Sequence, residues 1–347
     1  MPMNVLRVAV VGFGVVGRGF AKALLRRRRI LAEEFNLNLE VVAISDLKWG
    51  SVYDEDGLDL ERCLSMVEAG GSLEDYPSGV KGLSSLETIR EAEYDVMVEL
   101  TPTNVETGEP GLTHIAEALR VGRHVVTTNK GPISLAYWDL TEMAEERGVS
   151  LRFEGTVMSG TPVLFLLREG LGGDLVEEVY GILNGTNNFI LTQMEAGKSF
   201  EEALREAQRL GYAEADPTMD VEGWDAAAKA AIIANAVMGG RMKPQNVRRE
   251  GITGVTSEEV VKAIEDGKRV KHVARVWREG GRVYASVAVE KLPLSHPLSA
   301  VTGVKNALAA RTENLGEVFI TGPGAGGVET GQAVLSDILA IYRLHYR

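Results

Sequence analysis

"VLRVAVVGFGVVGRG" (residues 5–19) decides the fold. Its first half is a short apolar run rich in β-branched residues, the composition of a buried strand. The run stops at Gly12, and Gly14 and Gly17 complete a G-x-G-x-x-G pattern. Apolar residues then recur at Phe20, Ala23, Leu24 and Leu25, which predicts a helix. In this setting the first two glycines permit a tight turn and close approach of a pyrophosphate, and the third lets the helix pack on the strand. The helix N-terminus then faces the phosphates. Gly12, Phe13, Gly14, Val15, Val16 and Gly17 are therefore expected to form a dinucleotide-binding loop.

Strand and helix patterns continue outward from this loop. "LEVVAI" (39–44), "DVMVEL" (95–100) and "HVVTT" (124–128) read as further strands separated by helical stretches. That alternation predicts an α/β fold of Rossmann type, with a doubly wound parallel sheet. Asp46 ends the second strand, where an acid holds the adenosine ribose hydroxyls. Ser45 and Lys48 flank it and would suit a 2′-phosphate, which leaves NAD and NADP both open. Beyond residue 150 the pattern changes. Strand-like pieces at 151–157, 175–183 and 281–291 alternate with helical patterns at 188–210 and 224–238. The expected organisation is a dinucleotide-binding domain over 1–150 and a second, α+β domain over 151–320. The segment 321–347 is expected to return to the first domain.

Composition narrows the function classes. A net charge of −12 argues against a nucleic-acid or anionic-membrane binder, which needs a basic surface. The basic run Arg26–Arg29 is expected to end the first helix and complement its dipole. No apolar run is long enough to span a bilayer, and the N-terminus lacks the layout of a signal peptide, so a cytoplasmic protein is expected. A single cysteine, Cys63, sits among apolar helical neighbours and reads as a buried thiol. The histidines show no i, i+4 pair that would hold a metal. Acid–base work then falls to lysine or carboxylates.

"GYAEADPTMDVEGWDAAAK" (211–229) supplies both. Glu214, Asp216, Asp220, Glu222 and Asp225 precede a helix that only Lys229 and Asn235 keep from being wholly apolar. A helix apolar all round is a buried one. Burying an ammonium is costly unless acids surround it, so the cluster is expected to hold Lys229. Asp225 and Lys229, at i and i+4, share one face. A catalytic Asp–Lys pair and a structural ion-pair network both remain compatible with the pattern.

Several stretches together resemble the homoserine dehydrogenases: "GFGVVGRG", "TTNKGP", "EGTVMSGTPV", "ILNGTNNFI", the acidic stretch above and the closing "GPGAGGVETGQAV", in the family's order over nearly the whole chain. The resemblance implies interconversion of L-aspartate 4-semialdehyde and L-homoserine with NAD or NADP. It implies Lys229 as acid–base residue, Asp225 as its partner, and Lys130 in catalysis and cofactor contact. Glu214, Asp220, Tyr212 and Thr186 match positions around the amino-acid substrate. Thr101, Gly211 and Gly326 match positions at the cofactor. Glu154, Val157, Ser159 and Thr161 match a loop that holds a sodium ion. A homodimer formed through the second domain is implied as well. The chain resembles short members, with neither an ACT domain nor a fused aspartate kinase. A phosphorylating semialdehyde dehydrogenase would need a nucleophilic cysteine, which Cys63 suits poorly. A mere nucleotide sensor would leave the acids and the lysine without a role.

Overall fold

The computed structural model describes residues 3–347. It divides into two compact units: the first runs to Gly160 and takes up Gly326–Arg347, and the second is Thr161–Ala325. The region around residue 150 thus lies within the first unit, and residues 321–325 stay with the second.

The first unit is built on a seven-stranded sheet. Its strands are β1 (Asn4–Val11), β2 (Leu37–Asp46), β3 (Gly50–Tyr53), β4 (Val80–Lys81), β5 (Val96–Glu99), β6 (His124–Thr127) and β7 (Leu151–Arg152), in the order β4-β3-β2-β1-β5-β6-β7. From β2 across to β7 the pairing is parallel. The central strands are buried on both faces and carry continuous apolar runs, as parallel strands covered by helices must. The remaining edge departs from a wholly parallel sheet: β3 pairs antiparallel with β2, and β4 with β3. The turn between Asp46 and Gly50 is too short for a crossover, so the chain can only fold straight back.

The first helix, Val15–Phe35, continues through Arg26–Arg29 for two further turns. The arginines therefore sit mid-helix and largely exposed, with Arg29 near Glu33, and do not cap its end. The closing helix, Gly327–His345, lies against the first helix at very short range. A Cβ on Gly19 would collide with the Gly327 carbonyl, and one on Gly331 with the Phe20 backbone. Cys63 is fully buried, and burial pushes its thiol up to about 12.

The second unit carries a six-stranded sheet, order β13-β12-β8-β10-β11-β9. Its members are β8 (Val176–Ile182), β9 (Arg248–Arg249), β10 (Lys268–Glu279), β11 (Arg282–Pro293), β12 (Lys305–Thr312) and β13 (Gly316–Pro323). All its pairings are antiparallel except that of β9 with β11. The helix that bears Lys229, Trp224–Met238, packs on β10 and β11. Two expectations need correction. The helical pattern at 188–210 is two helices, Gly185–Glu195 and Phe200–Arg209, broken at Gly197 (φ +89°) and restarted by a Ser199–Glu202 capping box. Within 151–157 only Leu151–Arg152 is strand; Glu154–Thr156 forms a 3₁₀ turn.

Candidate active site

In the first unit the chemistry collects at the carboxyl ends of the parallel strands, where ligands of open α/β sheets bind. The three loop glycines answer to different neighbours. Gly12 has φ +98°, and a Cβ there would stand 2.6 Å from the Leu100 carbonyl carbon and oxygen. A Cβ on Gly17 would strike the Gly12 carbonyl, which is the close helix–strand packing expected. Gly14 has no protein atom within 4 Å of a built Cβ and caps the helix with no side-chain partner. Its openness leaves a cradle at a helix N-terminus, which fits a dinucleotide pyrophosphate. Val15 is exposed, Val16 half-buried and Phe13 buried. Asp46 ties β2 to this loop. One of its carboxylate oxygens accepts from the Phe13 N–H (2.6 Å), and the other from the N–H groups of Lys48 (2.8 Å) and Trp49 (3.1 Å).

The loops after β5 and β6 are joined by a residue the sequence reading passed over. Glu99, inside an apolar strand, is completely buried, and burial pushes its carboxyl up against the pull of its hydrogen bonds. It accepts from the Thr101 N–H (2.9 Å), the Thr101 hydroxyl and the Thr127 hydroxyl (2.9 Å). Asn129 donates to the Thr101 and Pro102 carbonyls and, as N-cap, accepts from Gly131 N–H. Lys130 is therefore the first residue of a helix, Lys130–Arg147. Gly326 stands just before the closing helix with φ +135°.

In the second unit Lys229 is 6% exposed. Its Nζ donates to Asp225 Oδ2 (2.7 Å) and to the Leu183 carbonyl (2.6 Å). The other acids do not close in on it as expected. Asp216 turns to its own loop, accepting from Thr218 N–H (3.1 Å), and this turn holds its carboxyl below the usual range. Glu222 accepts from the Thr253 hydroxyl and lies 3.9 Å from Arg249. Glu214 is exposed on the loop. Asp220 alone joins the pair, and it does so through Asn184. That amide donates to Asp220 Oδ1 (2.7 Å) and to Asp225 Oδ2 (2.9 Å). The Thr186 hydroxyl donates to the Tyr212 carbonyl (2.6 Å), and the Tyr212 ring meets Phe189 edge-on. Gly211 starts this turn at φ +76° with open space around it. A lysine amine in reach of a carboxylate, on a rigid helix beside an acidic loop, can pass a proton to or from a small polar substrate.

Of the residues in the expected sodium loop, Glu154, Val157 and Ser159 belong to the first unit and Thr161 to the second. Glu154 N–H donates to Asp337 (2.8 Å), the Ser159 hydroxyl pairs with that of Thr330 (2.7 Å), and Thr161 donates to the Pro323 carbonyl (3.1 Å). Met158 and Ser159 both have positive φ, an uncommon conformation outside glycine. No group of three His, Cys, Asp or Glu side chains among the described residues could hold a metal.

Residues 162–339 match the family model described as homoserine dehydrogenase, and residues 12–154 match its NAD binding domain. The chain belongs to the homoserine dehydrogenase family. It is 41% identical over 336 residues to a homoserine dehydrogenase of Methanocaldococcus jannaschii, covering 96% of this chain and 98% of that one. It is 39% identical to an NAD(+)-dependent homoserine dehydrogenase of Pseudomonas canavaninivorans, covering 98% of this chain and 97% of that one. Among solved structures it resembles a hyperthermophilic archaeal homoserine dehydrogenase in complex with NADPH, with a TM-score of 0.85, 33% identity and 99% coverage of both chains. A homoserine dehydrogenase from Thiobacillus denitrificans gives a TM-score of 0.86 at 32% identity, covering 99% of this chain and 74% of that one. The chain is thus an NAD(P)-dependent oxidoreductase acting on a CH–OH group, interconverting L-aspartate 4-semialdehyde and L-homoserine. No helix among the described residues is long and apolar enough to cross a membrane.

Asn184 and Glu99 are the site residues that sequence reasoning missed. Asn184 carries a local signal, since an Asn directly before a helix is a preferred N-cap. Nothing local announces its second set of partners, which come from beyond the following two helices. Glu99 has only its oddity as an acid placed after the apolar run Val96–Val98.

Proposed function

We propose that Lys229 carries the proton in homoserine dehydrogenation and Asp225 holds it in place. One observation supports this above the others: the buried amine has two acceptors at 2.6 and 2.7 Å. A neutral amine has two N–H donors and a lone pair, while an ammonium has three donors. Leu183 and Asp225 can thus be served in both states. In oxidation the lone pair accepts the homoserine hydroxyl proton, directly or through one water. In reduction the third N–H polarises the aldehyde oxygen and supplies the proton. When bound, the nicotinamide gives or takes the hydride.

In the same reading Asp220 and Glu214 meet the substrate ammonium, with Tyr212 and Thr186 beside them. The dinucleotide lies on Gly12–Gly17 with Asp46 at its ribose, and Thr101, Lys130 and Gly326 serve its nicotinamide end. The role of Lys130 in catalysis and that of Gly211 at the cofactor rest on the family resemblance. A sodium ion at Glu154, Val157, Ser159 and Thr161 also rests on it, and the paired left-handed residues Met158 and Ser159 are compatible with a loop shaped by main-chain ligation. A homodimer formed through the second unit rests on the family resemblance as well. Light scattering would test it.

The deciding experiment follows absorbance of the reduced cofactor with L-homoserine and either NAD or NADP. Lys229→Ala should lower kcat by about 10²–10⁴-fold, the usual weight of a general acid–base group. Cofactor binding, measured by fluorescence titration, should be retained. Turnover within a few-fold of the parent would dismiss Lys229 as the proton carrier.

A further inference from the structure

We propose that Asn184 is a positioning residue for catalysis, a single amide that clamps Asp220 and Asp225 into one unit. The assignment of its atoms follows from its neighbours. Asn184 is the N-cap of Gly185–Glu195, and its Oδ1 accepts from the Asn187 N–H (2.8 Å). A backbone N–H can only donate, so the oxygen must face it, and the Nδ2 must face the carboxylates. Both amide hydrogens are then used, one on Asp220 Oδ1 (2.7 Å) and one on Asp225 Oδ2 (2.9 Å). Asn184 is 5% exposed, so water is a poor substitute for either bond.

The clamp matters because of what each end does. Asp225 Oδ2 is the same oxygen that receives Lys229 Nζ. Asp220 lies in the one-turn helix Thr218–Val221 of the acidic stretch and sits intermediate between buried and exposed. Two carboxylates on one nitrogen repel each other, and a donor between them offsets that repulsion. The loop is fastened from behind as well, since Asn187 Nδ2 donates to the Asp220 carbonyl (2.7 Å) and bonds with His272 Nδ1 (3.0 Å). Asn184 therefore sets the distance between the carboxylate proposed to meet the substrate ammonium and the one that aims the lysine. A residue with this role governs substrate binding and proton transfer together.

This inference rests on the proposed roles of Lys229, Asp225 and Asp220. Its test exploits the two jobs of the side chain. Serine caps helices about as well as asparagine and threonine nearly so, but neither Asn184→Ser nor Asn184→Thr can span to both carboxylates. A hydrogen bond to a charged group has the weight of roughly a 10- to 100-fold change in rate or affinity. Both variants should lower kcat and raise KM for homoserine within that range, with NAD(P) affinity unchanged. These kinetic losses in a folded Asn184→Ser, with NAD(P) affinity unchanged, would establish the clamp. Parent-like kcat and KM in a folded variant, whatever its melting temperature, would reduce Asn184 to a helix cap. Should the serine variant fail to fold, the threonine variant, which also caps the helix but lacks the amide, decides. Lys229→Ala run alongside separates the two readings. If it abolishes turnover while Asn184→Ser stays active, only the clamp is wrong. If it stays active, the lysine assignment falls first.

Discussion

Asp225→Ala should destabilise the second unit far more than the loss of an ordinary i, i+4 ion pair. An exposed pair of this kind contributes about 0.3–0.5 kcal/mol. Here the side chains of Lys229 and Asp225 are 8% and 12% exposed and meet at 2.7 Å. Removing the carboxylate leaves a buried ammonium with the Leu183 carbonyl alone, and breaking a buried pair from one side costs about 3–5 kcal/mol. For a unit of this size that lowers the melting temperature by roughly 6–20 °C. Lys229→Met should cost less, since the stem is kept and Asp225 still receives the Asn184 amide. The double variant should recover much of the loss of Asp225→Ala, because no unpaired charge is left behind. Scanning calorimetry on the four proteins measures all three terms. A midpoint for Asp225→Ala within about 2 °C of the parent would refute the buried-pair argument. So would a double variant no more stable than Asp225→Ala.

Two further outcomes are expected. Burial holds His114, His124 and His272 below the ordinary histidine range, His124 at about 4, where its ring nitrogen accepts from Ser150 N–H. The unfolded chain then binds protons on these residues that the native state refuses, so stability should fall as pH drops through about 6.5 and, for His124, keep falling toward its folded value. Melting temperatures measured from pH 7.5 to 4.5 should show the slope, and His124→Gln should flatten it; an unchanged slope in that variant contradicts the assignment. Gly14→Ala and Gly19→Ala should fail in opposite ways: the first should melt normally but bind NAD(P) weakly, because its Cβ enters open space. The second should melt several degrees lower, because its Cβ meets the Gly327 backbone and overpacking costs about 1–3 kcal/mol or more; calorimetry and cofactor titration on both variants check the contrast.

Features confined to a few consecutive residues were legible in the sequence. The glycine loop and the Asp225–Lys229 pair are of this kind, because strand-turn-helix and i, i+4 geometry follow from chain connectivity. Features that depend on who meets whom were not. Five acids before one lysine suggested five partners, yet loop turns and a neighbouring arginine take Asp216 and Glu222 elsewhere. The Arg26–Arg29 run reads as a helix end because four successive charges interrupt the apolar period that Ile30, Leu31 and Phe35 then resume. Strands β10 and β12 carry no alternation to announce them, because charged ends flank interiors that are buried at nearly every position. Asn184 looked like punctuation between strand and helix, and its carboxylate partners lie far along the chain.

The closing helix has a consequence for how the protein is made. Phe20 and Leu24 of the first helix share a core with Val334, Leu335, Ile338 and Ile341. The Tyr342 hydroxyl accepts from Asn4 (2.7 Å) and donates to the Phe35 carbonyl (3.0 Å). A nascent first unit thus leaves the ribosome with an apolar furrow along its earliest helix and waits for the filler. Translation of the intervening Thr161–Ala325 at about 5–20 residues per second makes that wait roughly ten to thirty seconds. The second unit, contiguous in sequence, is complete only as the interval ends, and the closing helix follows it directly. Loop-closure entropy grows only slowly with length, so the insertion weighs little on the finished molecule. Its burden falls on the unfinished one, whose open furrow is the surface a chaperone or a neighbouring nascent chain would meet first.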